Sequence, residues 1–171
     1  LWAYVKRLNE DRAKKISAAI VEFASQHSVD AIVIEHLDFK GCKKRGSKAQ
    51  RLSMWNHGII REKVEQKAHL LGIRIATICA WKTSALAFDG SGSVTRDDNN
   101  HALATFTTGK QYNCDLSASY NIGARYFIRE LLKSLPATEE SRVKAKVPDA
   151  GRRTSCTLST LRALVKELSA A

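Results

Sequence analysis

Ala31-Ile32-Val33-Ile34-Glu35 is the stretch on which the fold turns. Four apolar residues, three of them β-branched, follow the turn signal Ser28-Val29-Asp30 and are too few for a helix of their own. An unbroken apolar run of this kind reads as a strand covered on both faces, as in a parallel sheet flanked by helices. Glu35 follows at its C-terminal end, where open α/β sheets gather their ligands. A carboxylate at the end of a buried strand is costly without a partner. Glu35 is therefore a candidate functional residue, with a solvated strand end as the plain alternative.

Upstream, residues 4–26 read as an amphipathic helix with Val5, Leu8, Ile16, Ile20 and Phe23 mainly on one side. Downstream, a second helix is expected from Ser53 to about Leu71, ended by Gly72. Ile73-Arg74-Ile75-Ala76-Thr77-Ile78 then alternates as a strand does. Helix, strand, helix, strand points to a right-handed α/β arrangement with parallel neighbouring strands. Residues 83–113 are rich in Ser, Thr, Gly, Asn and Asp and read as an irregular insert or small hairpin module. Asp115 opens a third helix to about Leu135, stopped by Pro136, with Ala118, Ile122, Phe127 and Leu131 as part of its apolar face. Asp115 serves either as an ordinary N-cap or as a second site carboxylate. Residues 136–154 read as a polar, flexible tail. Thr157 is placed to cap a last helix carrying Leu158, Leu161, Leu164, Val165 and Leu168.

The 171 residues, 44% of them hydrophobic, suffice for one domain with a real core. No apolar run approaches the roughly 20 residues of a membrane span, and no secretory leader is visible. The four cysteines, Cys42, Cys79, Cys114 and Cys156, include no C-x-x-C pair. Free thiols in a reducing cytoplasm are the expectation. The first residue is Leu rather than Met, which is read as the mark of a fragment or an unrecorded start.

The formal charge is +11, so an acidic partner is expected, nucleic acid first. The surplus is concentrated. Between residues 39 and 74 stand ten basic residues, Lys40, Lys43, Lys44, Arg45, Lys48, Arg51, Arg61, Lys63, Lys67 and Arg74, against Glu62 and Glu65 alone. A surplus held in one loop and the helix after it fits a surface that tracks phosphates. Gly41 and Gly46 among the lysines suit backbone contact without base reading. A solvated helix face or polybasic tract is the alternative. Hard oxygen ligands such as Glu35 and Asp115, beside such a surface, suit the divalent metals of phosphodiester chemistry.

The motifs resemble those of TnpB proteins, transposon-associated RNA-guided nucleases related to type V CRISPR effectors. Ile32-Val33-Ile34-Glu35-His36-Leu37 is similar to the family's "I-V-x-E-D/N-L" strand. Trp55, Ala68, Gly72, Ile73 and Trp81-Lys82-Thr83-Ser84 resemble its helix and "P-x-x-T-S" segment. Asp115-Leu116-Ser117-Ala118-Ser119-Tyr120-Asn121-Ile122 resembles "D-x-N-A-A-x-N-I". The likeness covers roughly residues 5–132. It implies a partial RNase H-like (RuvC) fold of α/β class, with parallel strands, flanking helices and a degenerate zinc-ribbon-like insert. The implied divisions are a RuvC-like region with its basic helix over 1–82, the insert over 83–113, the final RuvC helix over 114–135, and a tail over 136–171. Glu35 matches the family's second catalytic carboxylate and Asp115 its third. The resemblance implies two Mg²⁺ ions, DNA as substrate and a guide RNA as partner.

Three departures qualify it. The family's first catalytic aspartate has no counterpart here, and Asp11 and Asp30 stand in the wrong places to replace it. Ser117 and Ser119 replace the usual Asn and Ala. Ala87, Gly90, Thr105 and Thr108 occupy the ribbon's cysteine positions, and none ligates zinc as a thiolate does. Zinc is accordingly expected to be absent, with Phe88, Phe106 and Leu103 packing the insert. A site built from Cys79, Cys114 and His101 is the lesser alternative. The 171 residues alone are expected to cleave little or no DNA. A nuclease-dead DNA- or RNA-binding module is the competing reading, and a ribosomal or RNA-modification protein rests on charge alone. His36, His57 and His69 read as polar surface histidines, with contact to phosphate or metal as the lesser alternative.

Overall fold

The computed structural model describes residues 1–37 and 56–170. It is a mixed α/β structure with a small parallel sheet and helices. The order is α1 (Trp2–Gln26), β1 (Ala31–His36), α2 (His57–Leu70), β2 (Arg74–Cys79), β3 (Thr95–Arg96), β4 (Leu103–Thr105), β5 (Gln111–Asn113), α3 (Cys114–Ser134), α4 (Ala137–Lys146), a 3-10 turn (Pro148–Gly151) and α5 (Leu158–Ser169). Two compact units divide the chain, Leu1–Ile32 with the described part of Asp38–Ala76, and Val33–Leu37 with Thr77–Ala171.

In the first unit, α1 packs against α2. The buried residues of α1 are Ala13, Ser17, Val21 and Ala24; those of α2 are Val64 and Ala68. These side chains recur at helical spacing and are small, which lets two helices approach closely. The Asn56 side chain donates to the Asn9 carbonyl at 3.2 Å and ties the start of α2 to α1. The face expected to be buried is not: Leu8, Ile16, Ile20 and Phe23 are all exposed. Bulk apolarity pointed to one side of the helix, and close packing against α2 selected another. After α2, Gly72 takes φ +70°, a left-handed conformation that favours glycine and closes the helix. The helix begins at His57, with Asn56 at its N-cap position; the expected start at Ser53 lies outside the described residues.

β1 corrects a second expectation. Its first five residues are half-buried and His36 is exposed, so it is not a strand sealed on both faces. Among the described residues its only partner is β2. β2 alternates, with Ala76 and Ile78 buried.

In the second unit, residues 83–113 form an ordered module. β3, β4 and β5 make an antiparallel sheet with Thr95 opposite Thr105 and Ala104 opposite Tyr112. Gly109 at φ +82° closes the β4–β5 turn. Ala87, Ala104, Phe106 and Cys114 are its buried core, with Phe88, Val94 and Tyr112 packed against them. The Phe88 ring meets Phe106 edge-on at 5.5 Å between centroids and Tyr112 at 5.1 Å. Leu103 is half-buried on β4.

The expected flexible tail is structured. α4 contributes the fully buried Val143 to a core with Ile128, Leu132, Ala150, Cys156 and Leu164. One buried residue in ten leaves no visible apolar period, so the helix is invisible to pattern reading. Its charges follow the helix dipole, with Glu139 and Glu140 in the first turn and Lys144 and Lys146 in the last. Thr157 caps α5 in a reciprocal box with Thr160.

Candidate functional site

Glu35 is half-buried near the end of β1. It meets Thr83, whose hydroxyl donates to Glu35 Oε1 at 2.5 Å. The Ala80 carbonyl lies 3.0 Å from the same hydroxyl, so a single proton serves two acceptors. Thr83 is buried in the turn after β2, where Lys82 adopts φ +60°. Its own carbonyl accepts from Asn121 Nδ2 at 3.0 Å, and the same amide group donates to the Leu86 carbonyl at 2.9 Å. Asn121 is fully buried on α3, and its Oδ1 accepts from the Leu158 N–H at 3.3 Å.

One turn further along α3, Arg125 is 5% exposed. Its guanidinium donates to four carbonyls: Cys79 and Trp81, both at 2.8 Å, Thr154 at 3.0 Å and Cys156 at 3.2 Å. This fork holds the end of β2 and the approach to α5 on one side chain. Burial holds the Arg125 pKa below its ordinary value, while Cys156, Cys79 and Glu35 pull the other way.

Asp115 lies in the first turn of α3, exposed. It is not the N-cap. That place belongs to Asn113, whose side chain accepts from the Leu116 N–H at 2.9 Å. Asp115 is left without a capping duty, near the positive end of the helix dipole. The structure thus joins the element bearing Glu35 to the helix bearing Asp115 through Thr83 and Asn121. Sequence reading assigned no role to Thr83, Asn121 or Arg125. Their signal was present: a polar pair four residues apart, at 121 and 125, within the apolar face that includes Ala118, Ala124 and Ile128.

Two carboxylates supply oxygen donors of the kind Mg²⁺ prefers. Among the described residues, no three His, Cys, Asp or Glu side chains form a group able to hold a metal ion. Glu35 and Asp115 alone, among the described residues, make fewer than the three donors of such a group. At the ribbon positions, Ala87 is fully buried, Gly90 sits at φ +83° against Ser159, Thr105 belongs to β4, and Thr108 is exposed in the turn after it. Cys79 is exposed and Cys114 is buried, with its thiol 3.6 Å from the Ser84 carbonyl.

Lys40, Lys43, Lys44, Arg45, Lys48 and Arg51 lie outside the described residues. On α2, Lys63 and Lys67 stand one turn apart, while Arg61 faces another side of the helix. His36 and His69 are exposed, and His57 begins α2. No described helix is long and apolar enough to cross a membrane.

No family model and no curated protein matches the chain. Among solved structures, the cryo-EM structure of the Cas12f1-sgRNA-target DNA complex is similar at 18% identity with a TM-score of 0.49. The match covers 68% of this chain and 34% of that one, so this chain spans about a third of its length.

Proposed function

We propose that this chain forms part of the RuvC-like nuclease region of a TnpB-like, RNA-guided endonuclease, with Glu35 and Asp115 as two of its three catalytic carboxylates. The observation that carries the reading is the hydrogen-bonded path from Glu35 through Thr83 to Asn121, on the helix whose first turn holds Asp115. A buried polar path of this kind fixes two elements in register, as a site of converging carboxylates requires. The resemblance of the strand, turn and helix motifs to the TnpB family supports it, and so does the concentration of positive charge between residues 39 and 74.

The third carboxylate has no counterpart at the matching positions of this sequence, so activity is proposed for the polypeptide that supplies it. Mg²⁺ held there would activate water and stabilise the leaving oxygen of a phosphodiester. This chain's own contribution is narrower. Thr83 orients Glu35, Asn121 holds Thr83, and Asn113 caps α3 so that Asp115 remains available. The basic residues from Lys40 to Lys67 hold the DNA or guide RNA backbone.

The test is Mg²⁺-dependent DNA cleavage by the triad-bearing polypeptide. Glu35→Ala and Asp115→Ala each abolish cleavage while leaving DNA binding intact. Thr83→Val lowers kcat about tenfold or more through a lost charge-assisted hydrogen bond. Cleavage that survives loss of both carboxylates would overturn the assignment. Salt-dependent binding with no cleavage in any triad-bearing form would instead establish the nuclease-dead module.

A further inference from the structure

A cavity of about 410 Å³ opens within the second unit, between α3, α4 and the 3-10 turn. That volume falls within the roughly 300–1,000 Å³ of ordinary small-molecule pockets. Its lining includes none of Glu35, Thr83 and Asp115. It shares Arg125 and Cys79 with the segment that carries Thr83, but it contains neither candidate carboxylate, so it does not depend on the nuclease reading.

Its charge is one-sided. Five cationic side chains line it, with Glu140 as the one acid. Several are already engaged. Lys144 pairs with Glu140, and Arg129 with Glu130 and the Thr77 carbonyl. Arg125 is bonded only to carbonyls, which satisfy its N–H groups without neutralising its charge. Lys133 is largely exposed, with Glu130 at a loose 3.5 Å. Arg153 makes no ion pair among the described residues. Exposed Lys133 and Arg153 beside a buried guanidinium, whose charge Glu35 offsets only in part, leave the cavity positive and suited to an anion. Ile78, Ile128, Leu132 and Ala150 make an apolar part of the wall, beside Thr77, Cys79, Gly151 and Cys156. Inorganic phosphate would leave that wall unused, whereas a ligand with a phosphate at one end and a planar apolar body at the other fills both halves.

We infer that this cavity binds a nucleoside monophosphate unit, its phosphate between Lys133 and Arg153 and its base against the apolar wall. The unit is supplied either by a free nucleotide or by one residue of a single strand.

Titration calorimetry on the purified chain tests this with thymidine 5′-monophosphate, thymidine, inorganic phosphate and a short oligothymidylate. One saturable site for the monophosphate is expected, with thymidine and phosphate at least tenfold weaker. Lys133→Ala with Arg153→Ala weakens the monophosphate at least tenfold, and Arg162→Ala, outside the lining, leaves it unchanged. Competition by oligothymidylate identifies the strand as the source, and its failure to compete identifies the free nucleotide; either supports the site. No saturable binding, phosphate binding as tight as nucleotide binding, or an unaffected double variant with unaltered circular dichroism would overturn the inference. Cleavage assays probe Glu35 and Asp115, so the two readings fail separately.

Discussion

α1 and α3 are long helices of 25 and 21 residues, and they use their surfaces differently. α1 buries four residues, none larger than valine, and leaves Ile16 45% and Phe23 63% exposed. α3 buries nine, among them Asn121 and Arg125. On α1, apolar side chains stay in water because α2 accepts only small ones. On α3, polar side chains go inside because backbone carbonyls wait at fixed positions to receive them. Burial follows what lies opposite a residue as much as the residue's own hydropathy.

The largest effect that would break this comparison is expected at Arg125. Arg125→Ala strips a donor from four carbonyls in a buried setting and should destabilise the second unit by about 3–5 kcal/mol. Arg125→Lys should recover little, because an ammonium cannot reproduce the fork. Urea unfolding measures both. A loss below about 1 kcal/mol would show that α3's polar interior is dispensable.

A middle-sized effect is expected on α1. Ala13→Leu overpacks the contact with α2 and should cost about 1–3 kcal/mol. Phe23→Ala, despite removing a far larger side chain, should stay within about 0.5 kcal/mol. If the order reverses, the exposed face of α1 is the one that holds the helix in place.

The smallest effect concerns Cys156. Burial pushes its thiol above the ordinary value of 9.0, although Arg125 pulls it back. In the unfolded chain the thiol loses its proton near that ordinary value, while in the folded chain it keeps it. Stability therefore declines as pH rises from about 9 toward the folded value. Cys156→Ala should flatten this alkaline decline, read as unfolding midpoint against pH.

Much of the fold was legible where local signals suffice. The β-branched run at Ile32 to Ile34, the alternation after Gly72, the stop at Pro136 and the cap at Thr157 each act within a few residues. They placed β1, β2, the end of α3 and the start of α5. The candidate site was legible in part: Glu35 stood out by its position after an apolar strand, and Asp115 by the helix it opens. That Asn113 takes the capping duty depends on two side chains competing for one helix end, which residue type does not decide.

What the chain order determined, then, was the succession of elements and the concentration of charge, because turns, caps and periodicity are short-range properties. Tertiary structure decided which face of α1 is covered, that residues 136–154 fold around Val143, that Thr83 and Asn121 link Glu35 to the helix bearing Asp115, and that Arg125 gathers four carbonyls. Thr83 reaches Glu35 across 48 positions and Arg125 reaches Cys79 across 46. Contacts over such separations arise only when packing brings the segments together, since no local pattern specifies a partner that far along the chain.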